Sequence, residues 1–408
     1  MDEAIDLLGI SMKVSSSLVV FGRSLKLDDS NRSMIAFLYA SSAYLFISAG
    51  WLHVRKRYFS VGFLMTASIA AALMVDPFLY AAIFVEIAVL GGVLLLEYQG
   101  SRNSSPKILE SVYVLAMIAI LMAGWTLDVG GVTAGSIELA FITKLFLGFG
   151  IVVLLGLPPF SVWLLKATQE TEPAEWTFVA SLLQVAGLFF LLTFLTHYGF
   201  LRDDPLTTYA LKIGGMVFLW FGSIIGIFQT KIGRFIAYAI TADLGFMLLV
   251  VSGLDEDAFM YALVATSSRV VAMGLISTGL TQLEDSGVEH SNTGALPLLL
   301  LAAGMLSLSG FPLLSGFPAR WGAIHSNLGG DASATTTVFV SIVLLSLTSF
   351  RWMFRLIDRA GWPVFRPDWK KSWPYLLMLI LCLMIGIIPQ VLLVWQLDVI
   401  NGLNMLPG

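Results

Sequence analysis

The sequence is dominated by apolar runs long enough to cross a lipid bilayer. Of its 408 residues, 57% are hydrophobic and only 12% are charged, whereas a soluble domain carries about 25% charged residues. A transmembrane helix needs about 20 mostly apolar residues. The pattern therefore predicts an all-α polytopic membrane protein. About twelve transmembrane helices are expected, roughly at 33–52, 60–76, 77–98, 110–128, 138–165, 174–197, 209–229, 233–252, 258–282, 295–319, 335–357 and 374–397.

Charged residues alternate between the two sets of loops that join these runs. Basic residues gather in one set, as at 55–57 and around Lys231, and acidic residues in the other, as at 203–204 and 255–257. Basic loops remain in the cytoplasm, so both termini are expected outside. Residues 4–22 are mildly apolar but also polar, and they are interpreted as an interfacial helix, with an extra span as the alternative.

Several classes of function lack any signal in the sequence. The single cysteine, Cys382, lies in an apolar run, which excludes a disulfide framework and a cysteine-rich iron–sulfur site. The four histidines have no metal-ligand spacing, so no metal or cofactor is expected. The net charge of −4 is small and spread over loops, and nucleic-acid binding therefore has no support.

Two carboxylates interrupt the apolar runs. Glu86 lies eight residues after Phe78, and Asp243 lies eight residues after Phe235. A carboxylate at the bilayer centre costs roughly 2.5–3.5 kcal/mol on insertion scales, and such residues usually face a bundle interior and mark an ion path. Glu86 is thus a candidate proton site, and a structural helix–helix hydrogen bond is the alternative.

Proline-containing breaks follow each carboxylate two helices later, as Gly156-Leu-Pro-Pro159 and Gly310-Phe-Pro312. Proline interrupts the hydrogen-bond ladder of a helix, and matched breaks in two halves are typical of inverted-repeat transporters. Two inverted repeats of five helices are therefore predicted, each with a Pro-broken helix. The expected divisions are an interfacial segment at 1–32, a first helix with a basic loop at 33–59, repeats at 60–208 and 209–360, and a C-terminal loop and helix at 361–408.

Four stretches resemble one known family. They are Lys231-Ile-Gly-Arg-Phe-Ile-Ala-Tyr238 with its continuation to 247, Pro158-Pro-Phe-Ser-Val-Trp163, Gly310-Phe-Pro with Gly316-Phe-Pro-Ala-Arg-Trp321, and Gly386-Ile-Ile-Pro-Gln390. In this order they resemble the antiporter-like membrane subunits of respiratory complex I, multisubunit cation/proton antiporters and membrane-bound hydrogenases. The resemblance covers about residues 60–395. It implies that the twelve runs match the third to fourteenth of the family's usual fourteen helices.

The resemblance implies a chain of charged residues in each half. Glu86 matches the family's glutamate, Arg269 matches a lysine that some members carry, and Arg320 matches the distal lysine or glutamate. The lysine of the first broken helix is replaced by Leu154, and no lysine stands at 184–185. A buried lysine can release its proton, whereas arginine, with a reference pKa near 12.5–13.8, cannot.

The candidate site therefore comprises Glu86, Asp243, Arg269, Arg320 and Lys144. Lys144 is considered as a relocated partner of Glu86, although its ten-residue distance from Leu154 rotates it by about 80° from that face; an interfacial anchor is the alternative. Asp243 and Arg269 are alternatively a structural ion pair, and Arg320 is alternatively a snorkelling helix-end anchor.

The resemblance implies a subunit of a complex I-type NADH (or other donor):quinone oxidoreductase that contributes a proton translocation path. The expected partners are other membrane subunits, lipid and protons, with no redox cofactor in this chain. A prokaryotic inner membrane is the expected location. A non-pumping scaffold subunit, and the membrane subunit of a cation/proton antiporter or of an inorganic-carbon uptake complex, remain alternatives.

Overall fold

The structure is a computed structural model, and it describes 3–7, 10–14, 17–20, 23–52, 54–76, 78–97, 103–128, 137–285, 295–326, 328–360, 369–390, 397 and 399–400. Fifteen α-helices lie within these residues, preceded by short strands at the N-terminus. The helices are α1 Asp29–Gly50, α2 Lys56–Met74, α3 Ala81–Leu96, α4 Ser105–Asp128, α5 Ile137–Leu154, α6 Val162–Glu170, α7 Pro173–His197, α8 Gly199–Arg202, α9 Pro205–Ile227, α10 Ile232–Val251, α11 Glu256–Asp285, α12 Ala295–Ser309, α13 Phe317–His325, α14 Ala332–Ala360 and α15 Trp369–Ile387.

The N-terminal segment folds as strands. Two antiparallel ladders join β1 to β2 and β3 to β4, and β4 also pairs with β5. Their bounds are β1 Glu3–Leu7, β2 Ile10–Val14, β3 Ser17–Val20, β4 Arg23–Lys26 and β5 Val75–Asp76. The predicted interfacial helix over 4–22 is therefore wrong at its described residues, 4–7, 10–14 and 17–20. The strands are also shorter than the 9–11 residues of a membrane-spanning strand. Isoleucine and valine favour strands, and serines compete for the backbone hydrogen bonds of a helix.

The predicted all-α polytopic membrane fold is confirmed. Among the described residues, nine helices are long and apolar enough to span a bilayer, and three shorter apolar helices lie at Leu139–Leu154, Ala295–Ser309 and Ser372–Ile387. Each of the twelve predicted spans corresponds to one of these twelve helices. The two spans that contain the prolines are divided, into α5 and α6 and into α12 and α13. The predicted breaks are thus present in the fold.

Both breaks begin with the same backbone turn. Gly156 has a φ of +65° and Gly310 a φ of +77°, in the left-handed region that glycine adopts without strain. At the first break the Gly156 N–H donates to the Val153 carbonyl at 2.9 Å and the Leu157 N–H to the Val152 carbonyl at 3.0 Å. This pair of bonds is the Schellman motif, which satisfies carbonyls at a helix end.

The second break repeats those two hydrogen bonds. The Gly310 N–H donates to the Ser307 carbonyl and the Phe311 N–H donates to the Leu306 carbonyl, each at 3.0 Å. Freed carbonyls inside a membrane must find donors, because lipid supplies none. The repeated turn is the local structural counterpart of the internal repeat.

Three helices form the centre of the bundle. About nine-tenths of the residues in the apolar stretches of α7, α10 and α11 are buried, against 28% in the apolar stretch of α9. Glycines let α9 lie directly on α10, since a Cβ added at Gly245 would lie 2.4 Å from the backbone nitrogen of Leu219. Small residues allow such close approach of membrane helices. The packing places the polar face of α10 inside the bundle.

Candidate functional site

A charged cluster lies at the centre of the second half of the chain, residues 209–360. Asp243 on α10 accepts a hydrogen bond at Oδ2 from Nε of Arg269 on α11, at 2.7 Å. Its Oδ1 accepts one from Nη2 of Arg320 on α13, at 2.8 Å. The three residues are only 2%, 3% and 2% exposed. The predicted contact between Asp243 and Arg269 is therefore present, and Arg320 joins it.

Arg269 extends the cluster to the first half of the chain, residues 60–208. Its Nη1 donates to Oε1 of Gln184 on α7 at 3.3 Å, and its Nη2 lies 3.5 Å from the sulfur of Met247. Gln184 is 2% exposed and stands where a lysine was expected from the resemblance. An amide accepts a hydrogen bond from arginine without changing charge. The link between the halves is thus polar but not titratable.

Arg320 lies across the second helix break. Its Nη1 donates to the Gly316 carbonyl at 3.0 Å and its Nη2 to the Leu308 carbonyl at 2.6 Å. The guanidinium also lies 5.0 Å from the centre of the Phe246 ring. A helix C-terminus carries partial negative charge and exposed carbonyls, which favour a cation. The alternative of a snorkelling anchor for Arg320 is wrong, because this side chain is buried and its charge is held inside the bundle.

The cluster holds two guanidinium groups and one carboxylate. With each arginine protonated, as the high reference pKa of this residue requires, Asp243, Arg269 and Arg320 together carry a net charge of +1. Dipoles of Gln184 and of the broken-helix carbonyls face the two cations. Both carboxylate oxygens of Asp243 are bonded to guanidinium groups, and such an arrangement suits a fixed charge better than a proton relay.

Glu86 has a different environment. It is the ninth residue of the nineteen-residue span Phe78–Leu96 and lies between the buried Val85 and the partly exposed Ile87. Its Oε2 atom is buried and has no hydrogen-bond partner among the described residues. A buried polar atom left without a partner costs about 1–3 kcal/mol, and more when it is charged. Oε2 is therefore an unsatisfied carboxylate oxygen among the described residues of the first half.

Buried apolar side chains stand at the first expected lysine position, Leu154, and beside Gln184 at the second, Val185. Leu154 and Val185 are 0% and 1% exposed and belong to the hydrophobic core. The Leu154 carbonyl accepts a hydrogen bond from the Tyr113 hydroxyl at 2.9 Å. Leu154 and Leu308 each precede the positive-φ glycine of their break by two residues. The Tyr113 phenol therefore donates to the first break the hydrogen bond that Arg320 donates to the second. Sequence reasoning missed Tyr113, although a tyrosine within an apolar run is a usable signal.

Lys144 lies away from Glu86. Its Nζ donates to Oδ2 of Asp204 at 2.7 Å, which joins α5 to the start of α9. The hydrogen bond from Lys144 holds the pKa of Asp204 below its ordinary value. The interpretation of Lys144 as a relocated partner of Glu86 is wrong, because its ammonium group is paired with Asp204.

The described residues offer few side chains for metal binding or thiol chemistry. Within those residues, no group of three or more histidine, cysteine, aspartate or glutamate side chains could hold a metal ion. Cys382 is buried and forms no disulfide. The chemistry that the site offers is that of carboxylates and fixed positive charges.

Comparison with known proteins assigns the family. Residues 126–348, more than half of the chain, match one family model. That family is described as "NADH:quinone oxidoreductase/Mrp antiporter, TM". The NADH-ubiquinone oxidoreductase chain 5 of Dictyostelium discoideum is 26% identical over 58% of this chain and 37% of its own length. The NADH-quinone oxidoreductase subunit N of Parafrankia sp. is 28% identical over 56% of this chain and 44% of its own length. The chain thus spans less than half of these two relatives.

Solved structures share the fold over almost the whole chain. A chain of the Mrp complex from Dietzia sp. DQ12-45-1b matches with a TM-score of 0.75 and 17% identity, over 96% of this chain and 47% of that chain. A chain of respiratory complex I from Thermus thermophilus matches with a TM-score of 0.71 and 18% identity, over 94% of this chain and 86% of that chain. Since its family model covers more than half of the sequence, this chain belongs to the NADH:quinone oxidoreductase/Mrp antiporter transmembrane family.

Proposed function

We propose that this chain is an antiporter-like membrane subunit of a complex I-type oxidoreductase and that it contributes a proton path through its first half. The family membership supports the class of protein, because the matched relatives are named as chains or subunits of NADH oxidoreductases. Its partners would be other membrane subunits of one assembly. We place that assembly in a prokaryotic inner membrane.

The observation that carries the proton path is the unpartnered Oε2 atom of Glu86. A carboxyl group midway along a membrane span is expensive as an isolated anion and can accept and release a proton. Asp243, in contrast, is held between two guanidinium groups. We therefore assign the exchangeable proton to Glu86, and a supporting electrostatic role to Asp243, Arg269 and Arg320.

The two halves are proposed to be repeat units, with boundaries at 60–208 and 209–360. The matched turns at Gly156 and Gly310 support this division. Each unit then contributes five spans, and an odd number of spans gives the two units opposite orientations in the membrane. Inverted repeats with a discontinuous helix in each are a common transporter plan.

A non-pumping scaffold is the second candidate function. The absence of the expected lysines favours it, since Leu154 and Val185 are buried apolar residues and the Gln184 amide does not titrate. The arginine cluster favours it also, because arginine does not release its proton in proteins. A membrane subunit of a cation/proton antiporter remains within the same family and differs in the partners that drive it.

The deciding experiment measures protons moved per electron in the reconstituted complex. Glu86→Gln keeps the size of the side chain and removes its titration. We therefore expect fewer protons moved per electron, with an unchanged rate of electron transfer when the membranes are uncoupled. Glu97→Gln is the matched control, because Glu97 is an exposed carboxylate directly after the same helix. An unchanged stoichiometry in Glu86→Gln would reject the proton path and leave the scaffold.

A further inference from the structure

A groove of about 430 Å³ separates α5 from α9. Its floor is formed by Leu191 and Leu195 of α7, and its walls by Leu147 and Ile151 of α5 and by Leu211 of α9. These five residues are aliphatic, and phenylalanines complete the apolar lining. The groove lies where the two halves meet, and it is distinct from the Asp243 cluster and from Glu86.

The groove opens sideways toward the bilayer. Phe141, Leu145 and Leu206 line it and are 50%, 57% and 55% exposed. Two of its residues are glycines with room beside them. A Cβ added at Gly148 would meet no atom within 4 Å, and one added at Gly214 would lie 3.9 Å from the Phe218 ring. In a membrane such an apolar gap is filled by hydrocarbon or by another apolar surface.

Polar groups gather at one end of the groove. The Lys144 ammonium and the Asp204 carboxylate form their ion pair there, and the Thr207 hydroxyl donates to the same carboxylate at 3.4 Å. Asp204 lies immediately before the span Pro205–Ile227, so this end is at the membrane surface. A zwitterionic headgroup complements this pair, with its phosphate toward Lys144 and its ammonium toward Asp204.

The size of the groove distinguishes between occupants. An α-helix with its side chains is about 10–12 Å in diameter and rises about 5.4 Å per turn. One turn of such a cylinder occupies about 420–610 Å³, so a groove of 430 Å³ holds about one turn of a helix at most. An extended hydrocarbon chain is far thinner and can follow the groove from the membrane surface toward the bilayer centre.

We propose that one acyl chain of a phospholipid occupies the α5–α9 groove, with its headgroup phosphate at Lys144. The lipid fills the space between the two halves of the protein and seals an apolar gap that the side chains leave open. Apolar walls select the chain, and the ion pair at the mouth selects a charged headgroup over an uncharged one. This assignment does not depend on whether the protein moves protons.

The test uses the full-length chain in vesicles of phosphatidylethanolamine and phosphatidylglycerol that contain phosphatidylethanolamine spin-labelled on an acyl chain. Gly148→Phe combined with Gly214→Leu fills the groove, and both changes replace the poorest helix formers apart from proline. We expect the wild type to hold about one more motionally restricted lipid per chain than this variant. Gly50→Leu is the matched control, because a Cβ at Gly50 also meets nothing within 4 Å and Gly50 lies outside the groove.

A second measurement addresses the headgroup. Spin-labelled diacylglycerol has the same chains without phosphate, so the wild type is expected to prefer the phospholipid severalfold. Lys144→Met should remove that preference while the groove still holds a chain. An equal number of motionally restricted lipids per chain in the wild type and in the groove-filling variant would overturn the proposal. In the assembled complex, cross-linking of Gly148→Cys to a neighbouring subunit would also overturn it, and the native Cys382 does not interfere because it is buried.

Discussion

Asp243 accepts a hydrogen bond from Arg320, 77 residues later in the sequence, at 2.8 Å. The same guanidinium nitrogen donates to the Leu308 carbonyl, at the end of α12. The carboxylate on α10 and the broken helix are thus joined by one charged group. A break within a membrane span needs donors for its freed carbonyls, and this arginine supplies two of them while it neutralises a buried anion.

Removal of the Asp243 charge should be the most damaging single change in this cluster. Asp243→Asn leaves Arg269 and Arg320 buried without a counter-charge, and breaking a buried ion pair from one side costs about 3–5 kcal/mol. The midpoint of thermal unfolding of the purified chain measures the loss. Asp203→Asn, at a carboxylate whose side chain is 71% exposed, should change that midpoint little.

A charge exchange tests the direct contact between Asp243 and Arg269. Each single reversal, Asp243→Arg or Arg269→Asp, should prevent stable insertion or accumulation of the chain. The double reversal should restore a measurable part of it, because one pair of opposite charges is re-formed at the same place. A double variant no better than the single variants would argue against the pair.

Glu86 should contribute little to stability. Its buried Oε2 atom has no partner among the described residues, so Glu86→Leu removes an unsatisfied polar atom and is expected to leave the unfolding midpoint unchanged or to raise it. A structural hydrogen bond at Glu86 would instead cost about 1–3 kcal/mol on removal. Thermal unfolding of this variant, compared with the wild type, separates the two interpretations without any transport assay.

The same substitution should destabilise the protein at one of two adjacent glycines of α9 and be tolerated at the other. A Cβ at Gly215 would lie 2.5 Å from the backbone nitrogen of Leu249, whereas one at Gly214 would meet only the Phe218 ring, at 3.9 Å. Gly215→Leu should therefore push α9 from α10, at a cost of about 1–3 kcal/mol or more. Gly214→Leu should be tolerated. Protease resistance of the two variants in membranes provides the comparison.

The ion pair of Lys144 and Asp204 should make stability depend on pH. The pKa of Asp204 is lowered chiefly by its hydrogen bond from Lys144, so the folded state favours the charged form. This contribution is present above the ordinary aspartate pKa of about 3.9 and is lost as the pH falls through the lower folded value. It is small, about 0–1 kcal/mol, because the pair is partly exposed.

Lys144→Met isolates that contribution. The difference in unfolding midpoint between the wild type and this variant should be present at pH 7 and should shrink at a pH below the folded pKa of Asp204. A difference that stays constant down to that pH would mean that packing of the lysine stem, not charge, stabilises this contact.

Much of the fold followed from local chemistry. Apolar runs of about twenty residues predicted the spans, since lipid admits only segments that satisfy their own backbone hydrogen bonds. Prolines beside Gly156 and Gly310 predicted the breaks. The N-terminal strands were missed, because short apolar stretches with serines carry no strong period. Lys144 was misassigned, because helix rotation alone does not show which neighbouring helix provides a partner.

The sequence by itself determined the class of the protein, the number of spans and three buried charges, Asp243, Arg269 and Arg320, because hydropathy and proline act within one segment. Only the tertiary structure decided which charges meet. Asp243, Arg269, Arg320 and Gln184 lie on four different helices, and their contacts depend on how α7, α10, α11 and α13 pack. The same packing left the Glu86 Oε2 atom without a hydrogen-bond partner among the described residues.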